Sequence, residues 1–99
     1  MATTKLLTAG LEGTDLDWCV ARALDVSVIG FHPSTDRNDG DPIIESEFIS
    51  TCWDGTYWLS EMYVDYKSPG MLTWRNPVAG PSRLISAMRC LVRHKFGDE

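Results

Sequence analysis

Apolar positions recur along this chain with two different periods. From Gly13 to about Leu24, the residues Leu16, Cys19, Val20, Ala23 and Leu24 fall on one face at helical spacing, which predicts an amphipathic helix. Asp15 and Asp17 lie in its first turn, where the helix dipole favours negative charge, and Thr14 is an alternative cap. A second helical stripe, Leu84, Ile85, Met88, Leu91, Val92 and Phe96, marks the last helix. Gly80 or Ser82 can cap it, Pro81 suits its first turn, and Gly97 ends it, with Lys95 in the last turn. Arg89 and Arg93 read as its polar side.

Between the helices the pattern shortens to that of strands. Residues 4–7 and Val26–Phe31 read as short strands. Phe48–Trp53 and Thr56 to about Met62 flank Asp54-Gly55, a pair that tolerates the positive φ values of a tight hairpin turn. A two-residue loop would set Trp53 opposite Thr56 and Thr51 opposite Trp58. Ile49, Trp53 and Trp58 would then share one sheet face, and Phe48, Cys52, Tyr57 and Leu59 the other. A strand to about Tyr66, a turn at Pro69-Gly70, a short strand near Leu72–Trp74 and a loop at Asn76-Pro77 complete the reading. His32–Pro42 (HPSTDRNDGDP) has the composition of a long loop. The expected architecture is a single α+β domain over residues 1–99, a small antiparallel sheet of three to five strands with two helices packed on one face.

Composition narrows the function classes. With 43% hydrophobic and 23% charged residues, the chain is not disordered, collagen-like or coiled-coil throughout. No run approaches the ~20 apolar residues of a membrane span, and the first residues lack the continuous apolar core of a signal peptide. Cys19, Cys52 and Cys90 are odd in number and widely spaced, as expected of reduced thiols in a cytosolic protein. The net charge of −5 disfavours nucleic-acid binding. It is unevenly spread: residues 12–65 carry −10 and residues 66–99 carry +4.

Candidate chemistry is sparse. Read as a calcium loop from Asp36, the 36–47 segment has its glycine one residue early, so no metal is expected there. Cys90 and His94 are four apart on a helix but lack the rest of a metal site. Glu45 and Glu47 could point the same way from an extended segment, where a solvated rim is the ordinary outcome. There is no nucleophile elbow and no phosphate-binding glycine loop, so the reading leans away from an enzyme, with an undetected hydrolase as a third hypothesis, and no cofactor is expected. Two features point to binding instead. Trp18 stands opposite the apolar stripe with Asp15 and Arg22 beside it, and it joins Trp53 and Trp58 as a candidate partner surface. The start of the last helix, with Ser82 and Arg83, could hold a nucleotide-like anion if Ser34, Thr35 and Asp36 line its rim. Four tryptophans, three tyrosines and three phenylalanines in so short a chain make a homodimer the default assembly.

LDWCVARA (16–23), PSTDRNDGDPIIE (33–45) and GPSRLISAMRCLVRHKFGDE (80–99) resemble the NinX-like family of small bacteriophage proteins. The resemblance covers the two helices and the loop, about half of the chain, whereas residues 52–79 depart from the family, whose members commonly have a shorter segment there. It implies a phage-encoded protein acting in the cytoplasm of the infected bacterium, and it implies no reaction and no functional residue. The expected role is a protein-interaction module that binds a host or phage protein. The alternative is a small-anion binder built from the 32–42 loop and the last helix.

Overall fold

A computed structural model of the chain describes residues 10–62 and 77–96. Its elements run α1 (Gly13–Leu24), α2 (Arg37–Ser46), β1 (Ile49–Trp53), β2 (Trp58–Met62), β3 (Val78–Gly80) and α3 (Arg83–Phe96). The strands form an antiparallel sheet in the order β1-β2-β3, so the class is α+β. The expected strand at 4–7, the 63–76 segment and the Gly97 helix end lie outside the described residues.

Helix α3 packs across all three strands, α2 reaches α3 and β1, and α1 meets α3 but none of the strands. The sheet is accompanied by three helices where two are expected, and of the expected two only α3 meets the strands. The core forms where these layers meet: Leu16 and Val20 of α1 and Ala87, Met88 and Leu91 of α3 are fully buried. Leu84, Val92, Ile43, Ile44, Ile49 and Val78 close around them. At about 25 cal/mol per Å² of apolar area, this seam dominates the stability.

The third helix, α2, occupies a segment whose composition reads as loop. Asp36 caps it, its Oδ1 accepting the Asn38 N–H at 2.9 Å, and Ile43 and Ile44 are buried. Pro42 sits inside and removes one helical N–H, and Gly40 is a poor helix former. Gly40 is nevertheless required. A Cβ there would lie 2.5 Å from the Pro33 carbonyl oxygen and 2.6 Å from Leu84 Cδ2. Tertiary packing has overridden local propensity.

Val26–Phe31 is not a strand. Helix α1 ends with Asp25 in the left-handed region (φ 56°), and Val26 N–H closes back on the Ala21 carbonyl at 2.9 Å. Turns follow, with Phe31 N–H on the Val28 carbonyl and Gly30 at φ 70°, and Val26, Val28 and Ile29 stay exposed. β-rich composition makes no strand where no neighbour supplies a ladder.

The hairpin forms with a longer loop than expected. Trp53 pairs with Trp58, Thr51 with Ser60 and Ile49 with Met62, which leaves residues 54–57 as a four-residue connection. Asp54 Oδ1 accepts the N–H groups of Thr56 (2.8 Å) and Tyr57 (2.7 Å), so an aspartate-centred turn replaces the two-residue one. The register moves by two residues, an even shift, so Ile49, Trp53 and Trp58 still share one face and Cys52 and Leu59 the other. Phe48 precedes the strand at φ 54° and is exposed, and Tyr57 belongs to the loop, so neither extends the second face.

Strand β3 meets α3 at very close range. A Cβ on Gly80 would lie 2.6 Å from the Ser86 amide nitrogen. That approach brings the buried Ser86 hydroxyl to 2.8 Å from the Val78 carbonyl and 2.7 Å from Ser60 Oγ. The carbonyl can only accept, so Ser86 donates its one proton there and Ser60 donates to Ser86. Arg89, expected on the polar side of α3, is buried. Its Nε donates to the Leu11 carbonyl at 2.6 Å and its Nη1 to the Ala79 carbonyl at 3.0 Å, tying the N-terminal segment and β3 to α3. Burial pushes its pKa down from the usual arginine value, opposed by Glu12, whose carboxylate lies 3.9 Å away.

A Gly→Ala change inside an ordinary helix adds about 1 kcal/mol of stability. Gly40→Ala should do the opposite and lower stability by about 1–3 kcal/mol in urea unfolding, because the methyl has no room. A stabilised variant would show that α2 does not lie against Pro33 and Leu84.

Candidate functional site

Around the first turn of α3 the chain brings three distant segments together. Ser34 and Thr35, Arg37 and Asp41 of α2, and Ser82, Arg83, Leu84 and Ile85 line an open cleft of about 470 Å³. Its outer wall is a fixed turn. Ser34 N–H donates to Asp17 Oδ1 at 2.9 Å, and the N–H groups of Thr35 (3.2 Å) and Asp36 (2.7 Å) donate to the His32 carbonyl. The other Asp17 oxygen faces His32 Nδ1 at 3.6 Å, and the His32 N–H donates to Asp39 Oδ2 at 2.9 Å. Asp17 is buried and is the anchor of this turn. From the sequence alone it reads only as a first-turn acid. Its signal was the spacing to Val20 and Ala21, three and four residues on, both buried.

The inner wall belongs to α3. Ser82 is its cap: the hydroxyl accepts the Ile85 N–H at 3.1 Å and the carbonyl accepts the Ser86 N–H at 2.9 Å. Gly80 and Pro81 precede that cap, so Pro81 does not occupy the first turn. Arg83 crosses the floor of the cleft. Its Nε donates to Thr51 Oγ1 at 3.1 Å and its Nη1 to Asp41 Oδ1 at 3.0 Å, linking α3 to β1 and α2. Arg37 Nε reaches the second Asp41 oxygen at 3.4 Å. One carboxylate thus holds two guanidiniums. Both pairs are substantially exposed, so each contributes at most about 1 kcal/mol.

Of the sequence candidates for this site, Ser34, Thr35, Ser82 and Arg83 line one cleft. Asp36 does not, because its carboxylate caps α2. Arg37, Asp41, Leu84 and Ile85 complete the lining and escaped the sequence reading. The Arg37–Asp41 spacing of four becomes a signal only once the segment is known to be helical.

The partner-surface candidates form two separate pairs, Trp53 with Trp58 and Trp18 with Arg22. Trp53 and Trp58 face each other across the hairpin, with ring centroids 5.9 Å apart and planes tilted by 53°, and Trp53 keeps half of its surface open. They lie on the sheet face that α3 covers, two residues beyond Thr51, with Trp58 paired to Gly80, and so flank the same end of α3 as the cleft. Trp18 is likewise half exposed, with the Arg22 guanidinium 4.9 Å over its ring, but on α1, which touches no strand.

Elsewhere, Cys19 and Cys90 are buried and Cys52 is exposed. Burial first, then nearby Asp15, pushes the Cys19 thiol pKa up, with Arg22 opposing, which is the opposite of an activated nucleophile. Glu45 is exposed on α2 and Glu47 follows that helix, so they do not form a strand pair. Among the described residues, no group of three or more histidine, cysteine or acidic side chains is placed to hold a metal ion, and no helix is long and apolar enough to cross a membrane.

No family model matches the chain, and no curated protein is similar to it. The cleft and the tryptophan end therefore have to be read from their own chemistry.

At the hairpin tip, the amides of Tyr57 and Thr56 hold the Asp54 carboxyl below its ordinary pKa of 3.8. A depressed carboxyl stabilises the fold above its unfolded pKa, and that contribution is lost as the pH falls through the native value. Asp54→Ala should therefore lower the urea midpoint at neutral pH, with the gap to wild type narrowing below about pH 4. A gap that stays constant down to pH 2 would contradict the turn geometry.

Proposed function

We propose that this chain is a phage-encoded accessory protein, acting in the cytoplasm of the infected bacterium as a non-enzymatic interaction module. The phage origin and the compartment rest on the resemblance to NinX-like proteins. The interaction role rests on the Trp53–Trp58 pair. Two indoles directly opposed beside the hairpin turn, one of them half bare, form a paired aromatic surface, whereas exposed apolar side chains such as Ile29 and Phe48 stand in turns. Aromatic anchors of this kind carry most of the binding energy at protein interfaces.

Arg83 and Thr51 beside the pair supply polar groups for a rim. A host or phage protein is the functional partner, and the same aromatic end pairs two copies into a homodimer when that partner is absent. Trp18 and Arg22 form a second, smaller surface, with one indole face already shielded by the guanidinium. An acidic chain suits protein partners better than nucleic acid.

The test is capture from infected cells with three forms of the protein. Wild type and Trp18→Ala should retain one defined protein, and Trp53→Ala/Trp58→Ala should weaken its binding roughly tenfold or more while unfolding cooperatively. Sedimentation should show the double variant as a monomer where wild type dimerises. A folded double variant that keeps the partner, or a wild type that retains no specific protein, would refute the proposal.

A further inference from the structure

The charges that line the cleft differ in sign from the chain as a whole. The protein carries −5, yet the ionised side chains on the cleft wall are Arg37, Arg83 and Asp41, an excess of one positive charge. Asp36 and Asp39 accept the Asn38 and His32 amides, and Glu45 lines the neighbouring groove with Arg37 and Asp41, so none of the three faces the cleft itself. Arg83 is held from both sides, by Thr51 and by Asp41, so its guanidinium is positioned before any ligand arrives. Next to it on α3, Leu84 and Ile85 supply the apolar part of the lining, and Thr35 adds a hydroxyl. The volume, about 470 Å³, lies within the range of small-molecule sites.

We infer that this cleft binds a small organic anion, a phosphomonoester or carboxylate with an apolar or planar body, and that Asp41 occupies the anion's place in the empty protein. The ligand's acid group takes over the Arg83 and Arg37 donors, forming the charge-assisted pairs for which guanidinium is best shaped. Its body lies along Leu84 and Ile85. The helix start contributes little, since Ser82 already accepts the Ile85 N–H and the Ser86 N–H is bonded to the Ser82 carbonyl. Exchange of partners at Arg83 is inexpensive because the Asp41 pair is exposed to water. The site shares Arg83 with the rim of the tryptophan surface, but the inference does not rest on that surface.

The experiment is titration by calorimetry and amide NMR with AMP, adenosine and inorganic phosphate. AMP should shift the amides of residues 34–37, 41 and 82–85, and adenosine should not bind. Asp41→Asn separates the inference from a purely structural role for that residue. Removing a competing negative charge at contact distance should tighten AMP roughly tenfold, whereas a scaffold residue would weaken it or do nothing. Arg37→Ala, on an exposed side chain that the fold does not need, should weaken AMP several-fold. Absence of AMP binding in both wild type and Asp41→Asn would overturn the inference. So would equal binding of adenosine, or AMP binding that Arg37→Ala leaves unchanged and Asp41→Asn weakens.

Discussion

Helix α3 can rest on the sheet at this distance only because residue 80 has no side chain. Any Cβ there would enter the backbone of Ser86. The close approach lets Ser86 reach both Val78 and Ser60, so this buried pair of hydroxyls beneath the helix is hydrogen-bonded. It also seats Met88 and Leu91 at zero exposure between the sheet and α1. One turn on, Arg89 reaches carbonyls on the N-terminal segment and on β3. Its burial is tolerable because two backbone acceptors and Glu12 surround it, and losing them would strand a charge in the interior.

The same constraint organises the binding end. With Ser86 fixed on Gly80, Arg83 is carried to β1 and α2, where Thr51 and Asp41 hold it. Gly80 is also the ladder partner of Trp58. The tryptophan pair and the cleft thus lie at the same end of α3. The buried Asp17 acts from the other side, fixing the 33–35 turn over the start of α3.

Much of this was legible in the residues, and the reasons for the rest are physical. The bounds of α1, the stripe of α3 and the face assignment of the hairpin follow from periodicity, which records burial directly. The hairpin register was missed by an even number of residues because Asp54 uses its side chain to build a longer turn, and an even slip leaves every side chain on its face. Helix α2 was illegible because Gly40 and Pro42 oppose it locally. What holds it is the cap at Asp36 and the burial of Ile43 and Ile44, and burial is a property of the whole fold. Arg89 and Asp17 looked like surface charges because residue type, rather than spacing, dominated their reading. Four of five anion-site candidates share one cleft, whereas its key carboxylate, Asp41, was hidden inside the apparent loop.

The claim on which these relations rest is that α3, seated on β2 and β3, is the most stable unit of the molecule. Native-state hydrogen exchange measures that directly. The amides of Ser86–Val92 and of Leu59 and Ser60 should open last and together, with α1 and the hairpin tip opening earlier. Amides of α3 that exchange as fast as those of α1, or a hairpin that outlasts the helix, would contradict the account.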